Sequence, residues 1–499
     1  MRLNLIDKIV LAIAPSVGRD RMLARFQAEN LQRASMQYDG ASASRGAYGW
    51  RSIGTDANAE IHSQGYKLRE IARDMVRNNP YAARGVQIIS EGVVGSGIIP
   101  SIDTAIAGAK EKMMELVKAH CDSSAIDADG RNNLYGLQNL VMRSVVEAGQ
   151  VLVRRFPRRA DAGLPLPFQL QVLEADFLDT RKDGPLAGGG FIFNGIEFDS
   201  SGRRLAYHLF REHPGNVATY RLPDSARVPA SEVAHIYRMD RPGQMTGVTW
   251  FAPVILAMRD FADYEDAQLM RQKIAACFAA FITRLDGGSN PLLGAKEPGP
   301  SDAGLPAEGV EPGMVMRLRD GESVSFGVPP QVEGYRDFST VTLHKISVGL
   351  GVDYASLTGD NSQGNFANSR MGWLRYHRSI ENWQWNMAIP NLCDPIGIWL
   401  LDGIALMTGR RIPARIMWTP PRREMFDPSK DIKASIESIR GGLASRSAEV
   451  RKLGFDPEDL DKEIKADNDR ADKNGFTFSS DSRHPVNGTQ ESQNVKQTD

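Results

Sequence analysis

From Gly65 onward the apolar positions fall at helical spacing, with Leu68, Ile71, Ala72, Met75 and Val76 on one face. "NNPYAARGVQIISEGVVGSG" then restarts a helix, with Pro80 in a first turn that needs no N–H and a Gly-rich stop. Two more helices are expected over 107–120 and 133–149, the second burying Leu137, Leu140, Val141, Val145 and Val146. After that the period shortens. "QVLVRRF", "FQLQVLEADFLD", "GGFIFNGIEFDSSGRRLAYHLFREHP", "TYRLPD" and "SEVAHIYRMD" read as short β runs. The third reads as a hairpin, Phe191–Phe198 and Leu205–Phe210 about an Asp-Ser-Ser-Gly turn. Residues 150–240 are thus a mainly β module inside a helical chain. Residues 1–60 have few periodic apolar positions and read as an extended arm behind a short first helix.

Helical spacing returns after Trp250. "DYEDAQLMRQKIAACFAAFITR", residues 263–284, predicts a helix roughly 33 Å long. Asp263, Glu265 and Asp266 crowd its start while Arg271, Lys273 and Arg284 follow, the order a helix dipole favours. The alanines within 275–280 would let another helix approach closely. Residues 286–333 are rich in Pro and Gly and acidic: Asp286, Glu297, Asp302, Glu308, Glu311, Asp320, Glu322 and Glu333 against Lys296, Arg317 and Arg319. Within them "GMVMRLRDGESVSFG" suggests a hairpin about Asp320-Gly321.

Residues 336–350 are helical again, and the polar stretch "TGDNSQGNFANSR" follows. A long aromatic helix comes next, with Trp373, Tyr376, Ile380, Trp383 and Met387 on a heptad-like seam that suits core or subunit packing. Pro390 should kink or break it. Two charged helices run to about Lys473, and the apolar-poor tail from Gly475 is expected to be disordered. The fold class is α+β, mainly helical.

Composition narrows the function. Of 499 residues, 41% are hydrophobic and 24% charged, as in globular proteins. The net charge of −1 argues against a tight non-specific nucleic-acid binder. Cys121, Cys277 and Cys393 are scattered and read as buried thiols in a reducing compartment. The apolar run Ile9–Ala14 is too short for a secretory signal, and "IAACFAAFI" is too short to span a bilayer, so a soluble protein is expected.

Enzyme signatures are missing. The chain has no G-x-x-x-x-G-K-[ST], H-E-x-x-H, C-x-x-C or G-x-S-x-G. His120 beside Cys121 lacks partners at zinc spacing. "GVVGSGI" follows a helix and reads as a helix cap and turn, not a phosphate loop. Glu174, Asp176, Asp179 and Asp183 could hold a magnesium ion, although acids in such a run are ordinarily solvated.

Several long blocks resemble one family. "RDMVRNNPYAARGVQIISEGVVGSGI", "GIEFDSSGRRLAYHLFREHPG", "VPASEVAHIYRMDRPGQMTGVTWFAPVILAMRDFADYEDAQLMRQKIAACFAAFIT", "LGVDYASLTGDNSQGNFANSRMGWLRYHRSIENWQW" and "PRREMFDPSKD" are similar, in collinear order over about 60–450, to portal proteins of lambda-like tailed phages. The resemblance implies a portal-type fold: an arm (1–60), a wing (61–262), a first stem helix (263–284) and a clip (285–335). A second stem helix (336–357), a tunnel loop (358–369), a long helix with the wing return (370–429), crown helices (430–474) and a tail (475–499) complete it.

The same resemblance implies a dodecameric ring at one capsid vertex, assembled in the bacterial cytoplasm. Double-stranded DNA would pass through its channel, driven in by the terminase large subunit. Head-completion proteins, the major capsid protein and scaffold would be further partners, with no membrane, no cofactor and no metal. The tunnel-loop candidates are Asn361, Ser362, Gln363, Gly364, Asn365, Phe366 and Asn368, between Asp360 and Arg370. Phe366 would anchor against a neighbouring loop. A ring repeats each charge, so an uncharged loop avoids gripping phosphates. The clip candidates are Glu308, Glu311, Arg317, Arg319, Asp320 and Glu322. The alternatives are a metal-dependent nuclease using the acids at 174–183 and a minor capsid protein that forms no channel.

Overall fold

The computed structural model describes residues 54–106, 108–216, 224–276, 280–284, 322–326, 334–362, 366–422, 425, 427–476, 478 and 483. The arm up to residue 53, the segment "TYRL" at 219–222 and most of 285–333 lie outside them. The account below concerns the unit from Ala57 onward.

Two helices open it, α1 (Ala57–Asn78) and α2 (Pro80–Val94). Helix α1 starts ahead of Gly65, because its first turns carry polar residues that give no apolar period. Asn79 caps α2 by accepting from the N–H groups of Tyr81 and Ala82, with Pro80 behind it as expected. Gly95, at φ +49°, closes α2, so "GVVGSGI" is a cap and turn. Strand β1 (Ile99–Asp103), α3 (Ala109–Cys121) and α4 (Leu134–Ala148) follow. The buried stripe of α4 is Leu134, Leu137, Val141, Met142, Val145 and Val146. Leu140 is exposed, not buried; it lies one position off the face turned to α2.

The β module holds two sheets. Strands β2 (Gln150–Pro157), β3 (Phe168–Glu174) and β9 (Val233–Tyr237) form one, in the order β3-β2-β9. The other is a five-stranded antiparallel meander of β4 (Gly184–Pro185), β5 (Phe191–Phe193), β6 (Ile196–Phe198), β7 (Arg204–Phe210) and β8 (Ser225–Pro229). The Asp-Ser-Ser-Gly turn joins β6 to β7, with Asp199 accepting from the N–H groups of Ser201 and Arg203. Phe191–Phe198 is not one strand: Asn194 (φ +49°) and Gly195 (φ +75°) fold it into a second hairpin. An Asn-Gly pair suits that left-handed turn. Leu152, Leu173, Ile196, Phe198, Tyr207 and Leu209 fill a small core between the sheets.

The first long helix, α5, spans Ile255–Ala276, not 263–284. Ala280–Arg284 is instead a strand, β10, antiparallel to β11 (Glu322–Phe326). The apolar run "IAACFAAFI" suits either state, and only a strand gains this distant partner. So Ala275 and Ala276 end a helix while Ala280 opens a strand, and Asp263, Glu265 and Asp266 sit mid-helix, away from its positive end. Segment 313–320, read as one arm of a hairpin, lies outside the described residues; β10 is the described partner of β11.

Helix α6 (Tyr335–Leu350) matches expectation, and a short α7 (Tyr354–Thr358) follows. Helix α8 (Phe366–Trp383) widens at Gln384–Cys393 into a π-helix holding Pro390, then continues as α9 (Asp394–Thr408). Of the two expected outcomes, a kink or a break, the chain does not break at Pro390: the helix widens around it, where a proline without an N–H is tolerated, and runs on. Most of the aromatic seam is internal: Ile380, Trp383 and Met387 are buried in the main core, Tyr376 donates to the Ile88 carbonyl at 2.9 Å, and Gln384 donates to that of Val93 at 2.8 Å. It is filled by α2 and Trp250, not left for a neighbour.

Among the described residues Arg370–Thr408 is one helical run long and apolar enough, by length and composition, to cross a membrane, a length the uninterrupted apolar runs do not reveal. Half of its most apolar window is already buried within the protein. Strand β12 (Arg415–Thr419) pairs with β1. Three helices, not two, follow: α10 (Pro428–Arg440), α11 (Arg446–Lys452) and α12 (Pro457–Asn474). The Gly441–Gly442 pair, with Gly442 at φ +70°, ends α10, and Gly454 at φ +80° follows α11. Lys110 and Lys118 of α3 pair with Glu458 and Asp459 of α12.

Candidate functional site

Helices α5 and α6 form a pair that carries the polar loop at its end. Gly349 of α6 faces Val254, the residue just before α5: a Cβ on Gly349 would lie 2.2 Å from the valine Cγ1. Farther along, Tyr264 stacks on Tyr335 at 6.0 Å and meets Phe338 at 4.4 Å. Tyr335 donates to Glu265 at 3.4 Å, and burial raises the pKa of that carboxyl. Apolar side chains stand open on both helices, Leu256 at 72% exposed, Val341 at 68% and Val348 at 79%, with Leu269 and Met270 also exposed, among charged neighbours such as Arg259, Asp260, Arg336 and Lys345.

The base of the loop is hydrogen-bonded residue by residue. Gly351, at φ +74°, ends α6, and Asp353 starts α7 by accepting from Ala355 and Ser356. The Thr358 hydroxyl donates to the Tyr354 carbonyl at 2.9 Å and accepts from the Asp360 N–H at 3.1 Å. Asp360 accepts from the Ser362 N–H at 2.9 Å, and bonds to Ser362 hold its carboxyl below the usual range. His344 stacks on Tyr354 at 4.0 Å, and Arg84 donates to the Ser356 carbonyl at 3.4 Å. Helix α8 docks against this base through Gly372, where a Cβ would lie 2.5 Å from the Asp353 carboxylate.

Of the seven loop candidates, Asn361 and Ser362 are exposed on this base. Gln363, Gly364 and Asn365 lie outside the described residues. Phe366 and Asn368 belong to the first turn of α8, so the loop is shorter than 358–369 and Arg370 lies inside the helix. Of the clip candidates, Glu322 opens β11 opposite Arg284; Glu308, Glu311, Arg317, Arg319 and Asp320 lie outside the described residues. Composition alone does not mark Asp353, His344, Arg84 or Gly372. The signal available was an Asp two residues after a helix-ending Gly, a cap pattern.

The acids of 174–183 do not converge on one site. Arg73 bridges Glu174 and Asp176, and Arg69 lies 3.2 Å from Asp176. Burial opposes ionisation of Asp176, but the two guanidiniums outweigh it and hold the carboxyl below its usual range. Asp179 pairs with Arg181 at 2.7 Å and accepts from Ser225, while Asp183 accepts from the Asn194 N–H. Glu174, Asp176 and His213 do bring ligand atoms within 4.8 Å of one another, yet the two arginines already supply their counter-charge. Cys121 and Cys393 are buried free thiols raised by burial; Cys277 lies outside the described residues.

A family model described as "Phage portal protein, lambda family" matches residues 43–384. The chain belongs to this family of portal proteins. It is 25% identical over 439 residues to the probable portal protein of Halomonas phage phiHAP-1, covering 84% of this chain and 83% of that one. It is 23% identical over 463 residues to the portal protein of Escherichia phage N15, covering 83% and 86%. Among solved structures it is similar to a chain in the neck of a native gene transfer agent particle, at 14% identity and a TM-score of 0.45, covering 79% of this chain and 94% of that one. The family is a structural one of the capsid, and the α+β, mainly helical fold agrees with that membership.

Proposed function

We propose that this portal-family chain forms a closed dodecameric ring at one vertex of a virion capsid, and that double-stranded DNA enters and leaves through its channel. The exposed apolar side chains of α5 and α6 are the observation that carries the ring: Leu256, Val341 and Val348 stand in solvent on a packed helix pair. Such a face is stabilised by the next copy around an axis, and a heterologous contact closes into a ring when its rotation does.

In this reading α5 and α6 are the stem, and Asn361, Ser362, Gln363, Gly364 and Asn365 face the passing duplex. Their amides and hydroxyls exchange hydrogen bonds between water and phosphate at little net cost. The β module is the wing, and α10 to α12 are the crown. The acidic segment around Glu308 and Glu311 is the clip, which docks the terminase large subunit and then head-completion proteins, with long-range charge speeding the encounter. Major capsid and scaffold proteins surround the ring, assembly takes place in the bacterial cytoplasm, and the chain itself performs no catalysis. Arginine pairing of Glu174 and Asp176 supports that last point over a nuclease.

Electron microscopy and light scattering of the purified full-length chain test the ring. Closed particles with a central hole are expected; a monomer at micromolar concentration across several salts overturns the reading. Glu308→Lys with Glu311→Lys should slow terminase association most at low salt, and an unchanged rate there removes the electrostatic part.

A further inference from the structure

The turn after α9 and the end of β2 gather arginines that neither the ring nor the channel uses. Helix α9 stops at Thr408 because Gly409 takes φ +66°, and the next two residues are Arg410 and Arg411. With Arg155 of β2 they line a cavity of about 510 Å3, whose wall also holds Asp402, Ala405 and Leu406. Arg155 is largely buried, its guanidinium carbon 5.4 Å from the centre of the Phe168 ring and its Nε without a partner. It lies 3.5 Å from Asp402, which also accepts from Arg411 at 2.9 Å. Arg410 has no carboxylate partner among the described residues. Three guanidiniums thus line a cavity with one carboxylate, which two of them share, beside a Leu406 that is 67% exposed.

We propose that this cavity docks an acidic polypeptide segment of another protein, one that carries an apolar side chain next to its carboxylates. Guanidinium forks match carboxylates in bidentate geometry, and Arg410 with the unused N–H groups of Arg155 and Arg411 offers them. Leu406 and Ala405 receive the apolar neighbour. A phosphate run fits less well: Asp402 and the carbonyl end of α9 face the same cavity, and a duplex has no side chain for Leu406.

Fluorescence anisotropy on the full-length protein tests this with a labelled peptide of alternating glutamate and leucine. Binding should weaken as salt rises. Arg410→Glu with Arg411→Glu should weaken it about tenfold or more. Leu406→Ser should weaken it severalfold while leaving capture of duplex DNA unchanged. All three residues are exposed, so circular dichroism should stay that of the wild type. The proposal is overturned if the wild type does not bind the peptide at low salt, or if the arginine reversals leave binding intact. It is equally overturned if duplex DNA displaces the peptide while Leu406→Ser changes nothing, since the site would then read charge alone.

Discussion

The indole of Trp383 lies against that of Trp250, their ring centroids 4.8 Å apart and their planes at 56°. Both are buried in the main core, and the cap residue Gly351 closes on the Trp383 ring as well. One side chain of α8 therefore ties the exit of the β module to the end of α6. Trp383→Ala should destabilise the subunit by about 3–5 kcal/mol, the range for emptying a buried aromatic site. Urea denaturation of dilute protein measures this directly. Were the seam a contact between copies, dilute stability would be unchanged and only ring yield would fall.

The contact of Gly349 with the start of α5 makes a second claim. Because Gly349 leaves no room for a Cβ beside Val254, Gly349→Ala should cost about 1–3 kcal/mol through overpacking. Val254→Ala alone should also destabilise, since Val254 is buried. Combined, the two should cost less than their sum, because the second removes the methyl that the first strikes. Strict additivity in denaturation midpoints would show that Gly349 and Val254 do not meet.

Buried His120 sits against Phe168 at 4.9 Å, and burial lowers its pKa to about 4. The native state keeps it neutral, while the unfolded chain takes up a proton near pH 6.5. Its share of stability is therefore fully present above pH 6.5 and is lost as pH falls toward 4, reaching about 3 kcal/mol. The readout is the difference in stability slope between wild type and His120→Leu over that window. Parallel slopes would show that His120 does not titrate on unfolding.

The long helices were legible because their apolar residues repeat without interruption, as in α2, α4 and α6. What misled was local. "IAACFAAFITR" has no period that separates helix from strand, and β10 is a strand by virtue of β11, some forty residues later. The Asn194-Gly195 turn was written in the chain but sat inside an alternating run that looked continuous. At the loop, composition marked the polar segment, yet Phe366 hid that α8 begins there, since a lone aromatic among small residues carries no helical signal. The capping of α7 by Asp353 and the seating of α8 on it through Gly372 depend on two residues nineteen apart, a contact no local pattern contains.

The loop itself can be tested apart from the fold. Asn361 and Ser362 are exposed, so Asn361→Lys with Ser362→Lys touches no buried side chain, and Gln363→Lys extends the change to the next loop candidate. Surface changes of this kind shift stability by about half a kcal/mol or less. Asn365 is left alone, because it immediately precedes α8 and Asn favours the capping position. Ring assembly, checked by light scattering, should be unchanged. Packaging or ejection should slow, because each added lysine is repeated around the ring and every phosphate it neutralises adds to the grip on the duplex. Raising the salt in an in vitro packaging assay should restore part of the rate, since the attraction depends on counterion release and is screened. Rings that form normally and package full-length DNA at the wild-type rate, at low salt as at high, would remove Asn361 and its neighbours from the channel and leave the segment between α7 and α8 a turn.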